Sequence, residues 1–133
     1  MTIHYKAGYK YQIVRDAVFK TPVLPELPIK TTYIKLTTAG ILTAMRGYAW
    51  DGASGPTVDT LNSIGPSLAH DCFCQMIREG LLPASYRRKA DKHFRVMCRD
   101  AGMSWIRAWI WYQGVRLGAR FSPQKPKKVL TAP

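Results

Sequence analysis

Pro66, Gly80 and Gly102 break the second half of the chain into short helical segments, and that punctuation limits what it can build. Proline suits a first helical turn, because the amide it lacks is one that a helix start leaves unpaired. Glycine suits a helix stop, where the backbone turns left-handed. Between these marks Ala69, Cys72, Phe73 and Met76 recur at i, i+3, i+4 and i+7, which predicts a helix from Pro66 to Glu79. Ser85 is placed to cap a second helix whose apolar stripe runs through Ala90, Phe94, Met97, Cys98 and Ala101. A third helix is predicted from Ser104 to Leu117, with Trp105, Ala108, Trp109 and Tyr112 on one stripe and Ile106, Ile110 and Trp111 around the rest. A helix that is apolar nearly all round reads as central to the core, the alternative being a second face for a partner or a membrane surface.

The first third has a different period. Tyr9, Tyr11 and Ile13 alternate with Lys10 and Gln12, Thr31 to Thr37 is β-branched and aromatic, and Thr38-Ala39-Gly40 is a turn into Ile41 to Arg46. Pro22, Pro25 and Pro28 predict a loop or an edge, since proline donates nothing to a ladder. The expected fold is therefore α+β: a small N-terminal antiparallel β portion followed by a three-helix portion. A chain of 133 residues with 47% hydrophobic residues has material for one core. We expect one globular domain over residues 1–122 and a basic Pro/Lys tail over 123–133.

Charge is unevenly spread. The net charge is +12, and from Ser85 onward there are twelve Lys and Arg against Asp91 and Asp100 alone. Such a balance favours polyanions such as nucleic acid or anionic lipid, with a solvated helix surface as the plain alternative. Arg87, Arg88, Lys89, Lys92 and Arg95, with Lys125, Lys127 and Lys128 of the tail, are the candidate contacts. Trp105, Trp109 and Trp111 read as core, although an exposed subset near Arg107 and Arg116 would suit anionic lipid or base stacking. No apolar run approaches the ~20 residues of a membrane span. Cys72, Cys74 and Cys98 are odd in number, follow no secretory signal pattern and lack the spacing of a zinc site, so a reduced compartment is expected.

The chemistry is concentrated between Trp50 and Phe94. On a helix His70 and Asp71 point about 100° apart, and His70 shares a face with Phe73, Cys74 and Ile77. If the second helix folds back after Leu81-Leu82-Pro83, Asp91 lies opposite His70, where a carboxylate fixes the tautomer and raises the basicity of the imidazole. Upstream, Trp50-Asp51-Gly52-Ala53-Ser54-Gly55-Pro56 allows a tight loop. Backbone carbonyls of Trp50, Gly52 and Ser54, completed by the Asp71 carboxylate, are suitable hard ligands for calcium. The Asp51 side chain is read as bonding its own turn. The other reading makes Asp51, His70, Asp71 and Asp91 a mixed site for zinc or another transition ion.

The string from Leu68-Ala69-His70-Asp71 to Ala90-Asp91-Lys92-His93-Phe94 resembles the secreted and parvoviral phospholipase A2 pattern. That resemblance implies His70 as the base, Asp91 as its orienting carboxylate, Asp71 as a calcium ligand, and carbonyls of Trp50, Gly52 and Ser54 completing the metal loop. The loop's sequence, the missing disulfide framework and the N-terminal strands depart from the phospholipase pattern. Over most of its length the chain is similar to a small family of uncharacterised phage and prophage proteins. They share a loop matched by Asp51-Gly52-Ala53-Ser54-Gly55-Pro56, a helix matched by His70-Asp71, and the Ala90-Asp91-Lys92-His93-Phe94 segment. This second resemblance implies a phage origin without assigning an activity; synthesis in the host cytoplasm is expected, with the virion as a candidate destination.

Two expectations follow. In the first the chain is a metal-dependent hydrolase acting on host envelope lipid or cell wall. In the second it is a non-catalytic particle or interaction protein that grips nucleic acid or a phage structural protein through its basic C-terminal half.

Overall fold

The computed structural model describes residues 3, 5–6, 11–50 and 64–121. Among the described residues, the alternation of the N-terminal part yields seven short strands in two antiparallel sheets. Strands β1 (Tyr5–Lys6), β2 (Tyr11–Ile13) and β7 (Ala49–Trp50) form one, with Tyr5 opposite Ile13 and Tyr11 opposite Trp50. Strands β3 (Ala17–Lys20), β4 (Ile29–Lys30), β5 (Ile34–Leu36) and β6 (Ile41–Ala44) form the other in the order β3-β6-β5-β4. Register follows the period of two: Ala17 and Ile34 both lie opposite Ala44, and Phe19 and Leu36 both lie opposite Leu42. All six are buried, while Val18, Lys20 and Lys35 face out. The proline-rich connection holds β4, which is the edge of its sheet, where a missing donor does least harm.

Helix α1 (Ile64–Arg78) is buried around most of its circumference. Leu68, Cys72, Phe73 and Met76 pack with the sheet residues Phe19, Leu36 and Leu42 and with Tyr48 and Trp50 in one apolar cluster. Gly80, at φ 74, ends the helix as its sequence position predicts. A single-turn 3₁₀ segment, Ala84–Tyr86, then leads into α2 (Arg87–Asp100). Ser85 lies within that turn and caps nothing, because α2 starts two residues later with no side-chain cap at Tyr86. The buried face of α2 is Ala90, Asp91, Phe94 and Cys98; Met97 is half-buried and Ala101 exposed, so the stripe is rotated from the predicted one.

Helix α3 (Trp105–Phe121) corrects the reading further. Its inward row is Ala108, Trp111 and Val115, which meets Phe94, Cys98 and Met103 in a second apolar cluster. Trp105 is 63% exposed and Trp109 47%. A helix apolar on every side carries no contrast from which its rotation can be read, so the predicted stripe was out of phase. Among the described residues no helix is long and apolar enough to cross a membrane. Antiparallel strands followed by three helices make this an α+β fold, as expected.

Candidate functional site

Asp91 is where the three helices meet. Its side chain is fully buried, on the face of α2 between Ala90 of the first apolar cluster and Phe94 of the second. Burying a carboxylate costs several kcal/mol unless donors replace its water. Three donors do so here. His70 of α1 places Nε2 2.5 Å from Oδ1. Arg87, one helical turn back on α2, donates from Nε to the same oxygen at 2.9 Å. Arg116 of α3 donates from Nη1 to Oδ2 at 2.8 Å. Burial pushes the Asp91 pKa up, but the His70 hydrogen bond and charge and the two arginines outweigh it and hold it below the ordinary value.

His70 is pinned by this arrangement. With Nε2 on the carboxylate, Nδ1 is the nitrogen left to accept or release a proton. The Phe94 ring tilts against the imidazole at 5.3 Å between centroids. The Cys74 sulfur, one turn along α1, is 3.7 Å from Nδ1 and 3.9 Å from Nε2. Two such similar distances place the sulfur across the ring, not in line with one N–H. Burial lowers the His70 pKa, whereas the Cys74 sulfur and Asp91 raise it, and the balance is about 9. For Cys74 burial acts upward, but His70 and Arg87 bring the thiol below its ordinary value.

Asp71 engages a different neighbour. The Tyr48 hydroxyl, just before β7, donates to Asp71 Oδ2 and lies 3.1 Å from Gln75 Oε1, so this side of α1 is joined to the β portion. Tyr48 is 1% exposed, and its pKa is raised by burial first and then by Cys72 and Asp71. On the same side the Trp50 indole donates to Ser67 Oγ at 2.9 Å. The helix thus presents His70 to α2 and Asp71 to Tyr48. Hard carboxylate oxygens at Asp71 fit a calcium ion; the soft Cys74 sulfur does not. Asp91 has three of its roughly four acceptor sites taken, which fits an orienting group and leaves little for a metal. Among the described residues no three His, Cys, Asp or Glu side chains form a metal-holding group. Asp51, Gly52 and Ser54 of the expected loop lie outside the described residues, as do Lys125, Lys127 and Lys128.

The remaining expected contacts divide. Arg88, Lys89, Lys92 and Arg95 are exposed on α2, but Arg87 is turned inward, bonded to Asp91 and to the Val115 carbonyl. An i, i+4 Arg-Asp pair was the available signal for Arg87. Arg116 had none, being twenty-five residues from Asp91. Cys74 was visible as a residue on the His70 face. His93 of α2 is half-buried, and burial lowers its pKa against an upward pull from Asp100 and the Lys20 backbone. In comparisons with family models, with curated proteins and with solved structures, nothing matches this chain.

Proposed function

We propose that this chain is a small phage-encoded hydrolase in which His70, oriented by Asp91, moves the proton of the attacking water. The observation that carries this reading is the contact of His70 Nε2 with a fully buried Asp91 that two arginines hold ionised. It sets the ring's tautomer and directs Nδ1 away from the carboxylate. Asp71, one residue on, would hold calcium with carbonyls of Trp50, Gly52 and Ser54, the ion supplying stabilisation of the oxyanion when bound. Host envelope phospholipid is the substrate class this implies, in keeping with the phospholipase A2 resemblance.

The test is fatty-acid release from phospholipid vesicles with calcium or with chelator, using wild type, His70→Gln and Asp71→Asn. Calcium-dependent release that both substitutions abolish is expected. Equal release by wild type and His70→Gln would remove the reading. Because His70 is held protonated up to about pH 9, the rate should climb with pH toward that value.

A second reading is favoured by a specific observation: Asp91 is fully buried and satisfied by His70, Arg87 and Arg116, as in a structural clasp. The chain would then be a non-catalytic phage component using Arg88, Lys89, Lys92 and Arg95 on a polyanion or an acidic partner. Retention on DNA that falls steeply with salt, with no hydrolysis of lipid, would select it.

A further inference from the structure

Among the described residues, helix α3 leaves a largely apolar arc of its surface exposed. Trp105, Ile106, Trp109, Ile110 and Leu117 are each about half exposed or more, at 63%, 54%, 47%, 49% and 51%. On a helical projection they fall within about 140° of one another; the positions of Gln113, Arg116 and Arg120 project into the same arc, and the Arg116 guanidinium is drawn onto Asp91. Isolated exposed apolar side chains are ordinary; five on one arc are a docking face.

Cations border that face. Trp105, Trp109 and Tyr112 form a row at i, i+4 and i+7, and the Arg95 guanidinium of α2 lies 6.0 Å from the centre of the Tyr112 ring. Arg95 belongs to a row of its own: Arg88, Lys92, Arg95 and Arg99 recur at i, i+4, i+7 and i+11 on α2, and all four are exposed. The Arg95 contact therefore sets a basic row alongside the apolar one. Toward the other border of the arc, Arg107 stands 5.9 Å from the Trp111 ring. No acid occurs in α3, and of the two in α2 Asp91 is buried.

We propose that this face docks on the surface of an anionic lipid bilayer, with α3 lying in the interface and α2 alongside it over the headgroups. Tryptophan, isoleucine and leucine on one side with arginine and lysine at the border are the chemistry of an interfacial helix. Charge decides the occupant. A second copy would bring its own +12 to the contact, and stacked bases would leave Ile106, Ile110 and Leu117 against polar surface. The inference does not depend on His70 being catalytic.

The experiment is cosedimentation of the full chain with vesicles of phosphatidylglycerol and phosphatidylcholine in equal parts, and with phosphatidylcholine alone. Tryptophan emission is recorded in parallel; Trp50 and Trp111 are buried and give a steady background. Binding to the anionic vesicles is expected, weakening with salt, with a blue shift from Trp105 and Trp109. Trp105→Ala with Trp109→Ala, or Ile106→Ser with Ile110→Ser, should lower the affinity by about tenfold or more. All four sites are exposed, so these variants should keep the wild-type circular dichroism. His70→Gln should bind like wild type, which separates this proposal from the hydrolase reading. Absence of binding to the anionic vesicles, equal binding by the strip variants, or vesicle-free self-association that buries the two tryptophans would each overturn it.

Discussion

Arg116 donates from Nη1 to Asp91 Oδ2 at 2.8 Å, and through that bond α3 shares the carboxylate that holds His70. The same carboxylate takes His70 from α1 and Arg87 from its own helix. Helix packing and imidazole orientation are one arrangement here. Both oxygens of the carboxylate that orients the candidate base are occupied.

Asp91→Ala should therefore cost about 3–5 kcal/mol, because two buried guanidinium contacts and the imidazole lose their acceptor together. Arg116→Met removes one donor and should cost about 1–3 kcal/mol, with faster amide exchange concentrated in α3. Urea denaturation gives the first numbers, and hydrogen exchange checks the location. A loss below about 0.5 kcal/mol for Asp91→Ala would mean that the clasp carries no net stability.

The fold class and the meeting of His70 with Asp91 were legible because both rest on local signals. Glycine stops, a proline start and a 3.6 period place His70 on α1 and Asp91 on α2, and a short turn brings two such helices together. Strand β3 went unpredicted although Ala17-Val18-Phe19-Lys20 alternates, since four residues of alternation also occur by chance. Arg116 was illegible because nothing in sequence distinguishes an arginine destined for a buried acid from its neighbours. The exposure of Trp105 and Trp109 was misread because burial was inferred from residue type, on a helix whose uniform apolarity hides its inward side.

Stability should fall as pH rises from neutrality, in chelator. His70 has a folded pKa of about 9 against an ordinary 6.5, so its contribution is complete below pH 6.5 and is lost as the pH rises through about 9. Cys74, lowered by the same contact, acts in the opposite sense and is itself the largest upward influence on His70, so the two titrate as a pair. At the acid end Asp91, held below its ordinary 3.8, contributes stability that is lost as the pH falls through its folded pKa. Chemical denaturation across this range should show the alkaline decline flattened in a Cys74→Ser, His70→Gln double variant; an unchanged slope would refute the assignment.

Tyr48→Phe should cost about 1–3 kcal/mol, since Asp71 and Gln75 both face the lost hydroxyl in a part-buried setting. In wild type Tyr48 should ionise only well above the ordinary phenol range, because burial, Cys72 and Asp71 all oppose the charge. Ultraviolet absorbance during alkaline titration should show a late phase that Tyr48→Phe removes.

Gly40 supplies a test of the β portion with built-in controls. It sits at φ 85 in the turn between β5 and β6, and a Cβ there would lie 2.2 Å from the Thr21 carbonyl oxygen. That oxygen belongs to backbone held in place, because Thr21 N–H donates to the Gly40 carbonyl at 2.9 Å. Gly80 and Gly102 also have positive φ, at 74 and 98, but a Cβ at either would meet nothing within 4 Å. Alanine at Gly80 or Gly102 should thus carry only the left-handed backbone penalty of about 1–2 kcal/mol. Gly40→Ala carries that penalty and a backbone collision, which must separate β3 from the turn. Its loss in thermal or urea unfolding should exceed that of either control by more than about 1 kcal/mol, and equal losses at all three would mean that the strand connection yields without resistance.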